Sequence, residues 1–332
     1  MRRARILGRN KTNYYHLMSR VVSGDFLLGD EEKVFFRNTM RKLERFMGVK
    51  VLTYCIMTNH FHILLEVPEV KDLSDKEILD RIKGLNSKKR EREIVREYIL
   101  LKNEADETGD DQRLCAWRER YLARMGDLSN FGKELKERMA MWYNWKKNRE
   151  GALWSSRFKS VVIEAEESAL STISAYIDLN PVRAGMVKDP KNYRFCGYAE
   201  AIAGGVLAQD GICALERIFR RDNKEMSWKR SAGLYRCHLF AEGAGKGIDA
   251  ERVKEVLEAG GKLSVSELLR CRVRYFSYGL ALGSKSFVEN IFNKNRALFS
   301  ERRENGALPV EESDVVFFCL NQLRKEPIRA PN

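Results

Sequence analysis

The order of apolar and polar positions divides the first third of the chain into short, distinct elements. YYHLMSRVV, at residues 14–22, is rich in aromatic and β-branched residues and is bounded by Ser-Gly-Asp, which predicts a strand. Phe36, Met40, Leu43 and Met47 then recur at helical spacing. They follow an acidic opening and end at Gly48 after basic residues, the charge order that a helix dipole favours. VKVLTYCIM (49–57), the polar pair Thr58-Asn59 and HFHILLEV (60–67) predict a hairpin whose second strand ends at Pro68. Residues 70–125 change character, being highly charged with helical spacing and no strand signal, and read as a helical insertion. Their mixed charge favours a solvated face over a binding face. Beyond them the pattern predicts a helix over about 127–147, a strand at RFKSVVIEA (157–165) and a helix at SALSTISAYIDLN. That helix should stop at Pro181, because proline disfavours helical geometry in the residue before it.

With the insertion set aside, the order is β-α-β-β-α-β. The fold class this predicts is α+β, a ferredoxin-like βαββαβ antiparallel sheet of four strands with helices on one face. Residues 1–205 read as one domain containing the 70–125 insertion, and 206–332 as a helical C-terminal extension. Within the extension, glycines at 242, 244, 247, 260 and 261 mark joints, residues 263–299 read as a small helical domain, and Leu263 to Leu269 with the helix after it have a spacing compatible with a helix-turn-helix.

Composition narrows the class. In 332 residues, 44% are hydrophobic and 32% charged, an ordinary globular mixture able to bury a core. No run approaches the length of a membrane span, and the basic start MRRARILGRNK has no apolar stretch behind it, so the expectation is a cytoplasmic protein without a membrane partner. Seven cysteines (Cys55, Cys115, Cys196, Cys213, Cys237, Cys271 and Cys319) form no CxxC pair, which suits a reducing compartment and argues against a zinc ribbon. A net charge of +13 favours polyanionic partners, nucleic acid first among them, without proving one.

The chemistry concentrates in few residues. His60 and His62 are two of only four histidines. On a strand they point to one face, while Phe61, Ile63 and Leu65 take the other. Chance would produce such a spacing roughly 0.05 times in a chain of this histidine content. Two adjacent imidazoles can hold a divalent metal if a further ligand exists, and they can equally be a hydrogen-bonded sheet face. Tyr176 and Asn180, four apart on a predicted helix, share a side beside the apolar stripe of Leu170, Ile173 and Ile177. Amphipathic packing explains a tyrosine there unless that side meets the histidines.

Three separated motifs then carry a family resemblance. YYHLMSR with YCIMTNHFHILLEVPE, GALWSSRFKS, and YIDLNPVRAGMV, in that order over about residues 1–200, resemble the REP-associated tyrosine transposases, relatives of the single-tyrosine HUH endonucleases. The resemblance implies that His60 and His62 are the metal-binding pair, that Tyr176 is the nucleophile and that Asn180 is a third, polar ligand. It implies a divalent cofactor, Mg²⁺ or Mn²⁺, and cleavage and rejoining of single-stranded or hairpin DNA through a 5′-phosphotyrosine. The protein would act as a monomer or homodimer associated with the nucleoid. Trp154, Arg157, Lys159 and Arg183 are expected DNA contacts, with Lys188 beyond them, although a core tryptophan and solvated cations fit the same positions. Arg2, Arg3, Arg5 and Arg9 read either as a phosphate-gripping arm or as a loose tail. Two other readings stand beside this one. The first is a catalytically inactive or regulatory DNA-binding protein, disfavoured by the intact His60, His62, Tyr176 and Asn180. The second is a hydrolase in which Tyr176 orients water and Glu66 serves as base.

Overall fold

The computed structural model describes residues 6–8, 10–69, 72–220, 226–240, 279–309 and 318–320. Arg2, Arg3, Arg5, Arg9 and residues 263–278 of the 263–299 segment lie outside them. The predicted order is present: β1 (Thr12–Arg20), α1 (Asp30–Met47), β2 (Lys50–Ile56) and β3 (His60–Pro68). Next come α2 (Asp75–Ile82), α3 (Lys88–Thr108), α4 (Gln112–Leu122), α5 (Leu128–Lys146), β4 (Lys159–Ile163) and α6 (Glu167–Asp178). α1 ends where Gly48, at φ 66°, takes the left-handed conformation that glycine adopts without a Cβ clash, and its N–H donates to Glu44 O at 3.1 Å. β2, β3, β1 and β4 lie side by side in that order, each antiparallel to its neighbour, as a βαββαβ sheet requires.

Helices cover both faces of this sheet, not one. Phe36 of α1 packs on Phe61 with ring centroids 4.7 Å apart, whereas α6 lies over the opposite face, where His62 points at Tyr176. This explains why Ile63, Leu64 and Leu65 form an unbroken apolar run: a strand covered on both sides has no solvent face to keep polar. Burying Phe36 and Phe61 completely stabilises the fold by roughly 1.5–3 kcal/mol each. The insertion has a small core of its own, with Trp117 5.1 Å from Tyr98 and 5.0 Å from Tyr121. It returns to the sheet domain where Gly126 N donates to Met47 O at 2.8 Å.

After α6 the chain continues through α7 (Asn180–Arg183), α8 (Gly197–Ile202), α9 (Val206–Arg220) and α10 (Trp228–Phe240). α6 ends at Asp178, before Pro181, as expected, and a short separate helix follows. The turn loosens for one residue at Leu179 (φ −83°, ψ 0°), and the proline then sits in the first turn of α7, where no backbone N–H is needed. α9 packs directly on β2: a Cβ on Gly211 would lie 2.5 Å from Val51 O, so only glycine permits this approach. The described residues beyond 206 are mainly helical, but they also widen the sheet. β5 (Ala281–Gly283) pairs parallel to β4, and beyond the helix α11 (Lys285–Lys294) the strands β6 (Ala307–Pro309) and β7 (Phe318–Leu320) complete seven strands in the order β2-β3-β1-β4-β5-β7-β6.

Candidate active site

Strand alternation and register bring three histidines to one face. Met18 lies opposite His62 and Arg20 opposite His60 in the β1–β3 ladder, so His16, two residues before Met18, is a diagonal neighbour of His62. The His16 and His62 rings are linked through Nε2 and Nδ1 at 2.9 Å, and His60 stands edge-on to His62 with centroids 5.1 Å apart. α6 crosses this face. Tyr176 lies edge-on to His62 at 5.5 Å and to His16 at 5.9 Å, and the side chain of Asn180 hydrogen-bonds His60. His60, His62, Tyr176 and Asn180 are thus brought together within one chain.

The imidazoles are oriented by partners at Nδ1. Asn59 Nδ2 donates to Gly24 O at 2.9 Å, which fixes the amide so that its Oδ1 accepts from His60 Nδ1–H at 2.6 Å. His60 therefore keeps its lone pair on Nε2. His62 does the same when its Nδ1–H donates to His16 Nε2. Histidines that ligate metals are commonly held in this way through the second nitrogen. Burial first, then the Arg20 charge, lowers the His60 pKa to about 4, and burial together with His16 and His60 holds His62 well below the usual imidazole range. Both rings are neutral near pH 7, the form that can donate to a metal. No group of three His, Cys, Asp or Glu side chains among the described residues is arranged to hold an ion. The donor set is two imidazoles and an amide, which fits a divalent ion that keeps open positions for other oxygens.

A cleft of about 260 Å³ opens over this cluster, lined by Arg20, His60, His62, Arg157, Lys159 and Tyr176 among others. Lys159 stands opposite Met18 at the start of β4, and it and Arg157 are exposed on the rim. Arg183 lies over the Tyr176 ring at 4.1 Å and donates from Nη2 to Tyr176 O at 2.5 Å, so it fixes the tyrosine from behind. Trp154 is half-buried. It packs edge-on against Phe61 at 5.5 Å, donates from Nε1 to Lys136 O at 3.0 Å and lines a second cleft of about 660 Å³, which shares Ser156 and Arg157 with the first. Glu66 lies at the far end of β3 opposite Tyr14 and does not line the histidine cleft; their proximity raises the tyrosine's pKa after burial does. Sequence reasoning missed His16 and Arg20. Their signal was the alternation of His16, Met18 and Arg20 on β1, which acquires meaning only once the register with β3 is known.

An antiparallel βαββαβ sheet with an HxH pair on its inner face and a tyrosine on the crossing helix defines the class of fold and site. Residues 10–104 match the family model described as "Transposase IS200 like". The resemblance read from the motifs is borne out where the first of them falls. A solved structure of a "REP associates tyrosine transposase bound to a REP hairpin" is 16% identical, with 62% of this chain and 86% of that chain covered at a TM-score of 0.37. No curated protein matches the chain. No helix among the described residues is long and apolar enough to cross a membrane.

Proposed function

We propose that this protein is a DNA strand transferase that cleaves and rejoins single-stranded or hairpin DNA with Tyr176 as nucleophile. The observation that carries the reading is the placement of Tyr176 edge-on to His62 at 5.5 Å, inside a cleft that also holds His60 and a rim of Arg20, Arg157 and Lys159. The family match over residues 10–104 supports the same reading. Tyr176 Oη attacks a backbone phosphorus; the Tyr O–P bond forms, the P–O3′ bond breaks, and a 5′-phosphotyrosine and a free 3′-hydroxyl result. Rejoining reverses this with the 3′-hydroxyl of another strand, so no external energy source is consumed.

His60, His62 and Asn180 are the residues that would hold Mg²⁺ or Mn²⁺, which when bound supplies Lewis-acid polarisation of the phosphate oxygens. Imidazole nitrogens favour manganese over magnesium. Arg20, Arg157 and Lys159 attract and seat the phosphate backbone, while Arg183 keeps the tyrosine ring in place. Trp154 serves DNA binding by shaping the loop that carries Arg157. Because nucleophile and histidines meet within one chain, a monomer suffices for a cut. Such chemistry belongs in the cytoplasm, at the nucleoid.

The test is to incubate labelled single-stranded hairpin DNA with the protein and Mn²⁺ and look for an adduct that survives denaturation. We expect an adduct with the wild type and none with Tyr176→Phe. Cleavage that persists in the variant would sink the reading, and hairpin binding with no cleavage by the wild type would favour a regulatory DNA-binding protein.

A further inference from the structure

The helix that carries Tyr176 is fastened from its other side. Asp178, two residues beyond the tyrosine, is completely buried, and its carboxylate collects donors from three other elements. Thr53 Oγ1 of β2 donates to Oδ2 at 2.7 Å, Tyr235 Oη of α10 donates to the same oxygen at 2.6 Å, and Tyr198 N of α8 donates to Oδ1 at 3.1 Å. A buried carboxylate without such partners would cost several kcal/mol, so each donor is held as firmly as it holds.

The Tyr235 hydroxyl has a second partner. It also accepts from the hydroxyl of Ser174, which is fully buried and shares its one proton between Tyr235 Oη and Ser171 O, 2.9 Å away. Ser174 and Asp178 stand one helical turn apart, and Tyr176 lies between them on the opposite side of α6. One phenol from α10 therefore spans the turn that presents the nucleophile. α10 is itself braced at the next residue, where Arg236 donates to Tyr198 Oη at 3.2 Å and to Asp189 Oδ2 at 3.0 Å. Immediately after Asp178, at Leu179, the helix loosens before Asn180. Without the anchor, this is the point at which Tyr176 and Asn180 lose a common reference.

We propose that Tyr235 is a positioning residue that acts through Asp178 and Ser174 to set the rotation and height of Tyr176 over the histidines, making α10 of the C-terminal extension part of the strand-cutting unit. This rests on the proposed role of Tyr176. Misplacing a reacting group by about 1 Å can cost on the order of 100-fold in rate.

Tyr235→Phe, made in the full chain, removes the hydroxyl and keeps the ring. Three quantities are compared with the wild type: the single-turnover rate of adduct formation at saturating hairpin DNA, the Kd for that DNA without cleavage, and amide exchange across residues 172–178. We expect the rate to fall about 10-fold or more, the Kd to stay within about two-fold, and exchange to quicken in α6 but not in α1. Thr53→Val, which removes another donor to the same carboxylate, should shift all three in the same direction if Tyr235→Phe folds poorly. A rate within two-fold of the wild type overturns the proposal. So does a loss of rate and affinity that runs parallel to a general loss of exchange protection, because that marks the hydroxyl as fold support alone. If the wild type forms no adduct, the reading of Tyr176 fails by itself and the exchange experiment decides the anchor: faster exchange confined to α6 supports it, and unchanged exchange overturns it.

Discussion

His62 is buried and His238 half-buried, and desolvation pushes down the pKa of both, yet their surroundings have little else in common. His62 sits on a strand among His16, His60 and Tyr176, under a cleft rimmed by cations. His238 sits on α10, lies flat on Phe219 at 4.8 Å, and its Nε2 has no hydrogen-bond partner among the described residues. A lowered imidazole pKa therefore identifies burial and nothing more. What distinguishes the site is a set of polar groups that converge on one cleft.

The sharpest way to break this comparison is to remove each ring in turn. His62→Ala should reduce adduct formation about 1,000-fold or more, the scale of loss seen when a member of a catalytic unit is deleted; His238→Phe should leave the rate within about two-fold. Equal losses would show that the two histidines do not differ as described. His16→Ala comes next. It takes away the partner of His62 Nδ1 and should weaken Mn²⁺ binding, measured by titration calorimetry, about 10–100-fold, the usual cost of losing the group that orients a ligand. Arg157→Ala should weaken hairpin binding a few-fold and lower the slope of log Kd against log salt by about one, because one phosphate contact is lost.

A further prediction concerns His238 and stability alone. Its pKa falls from 6.5 unfolded to about 4 folded, so the unfolded chain binds the extra proton in that window. The contribution is fully present above pH 6.5 and is lost as pH falls through about 4, at most about 3 kcal/mol. His238→Phe should remove that part of the acid sensitivity and leave stability at pH 7 unchanged or raised by about 1 kcal/mol. Melting curves at pH 7 and pH 4.5 check both, and a variant that remains equally acid-sensitive would contradict the assignment.

How much of this was legible beforehand depends on how local each signal is. The β1, α1, β2, β3 series was readable because Phe36, Met40, Leu43 and Met47 keep one period while HFHILLEV keeps another. His60, His62, Tyr176 and Asn180 were readable as motifs. Their meeting was not, since it depends on α6 lying over one face of the sheet, and the expectation of helices on a single face was wrong. His16 escaped notice for the same reason: nothing near YYHLMSR records that Met18 will stand opposite His62. Strands of three residues such as Ala281–Gly283 are too short to show a period, so the widening of the sheet within the extension was invisible. Pro181 marked the end of α6 at Asp178 but not the short α7 that follows, because a proline is tolerated in a helix's first turn.

The long interval between the two halves of the site has a consequence for how the protein comes into being. The histidine ladder is complete by Pro68, the tyrosine arrives only with α6, and the anchor on Asp178 waits for Tyr235. During synthesis from the N-terminus, the early hairpin can form from neighbouring segments, whereas docking α6 onto it closes a loop of about a hundred residues and is intrinsically slow. A nascent chain thus presents its histidines well before it presents Tyr176. Under the proposed function, the ability to sever DNA is among the last things this chain acquires as it folds.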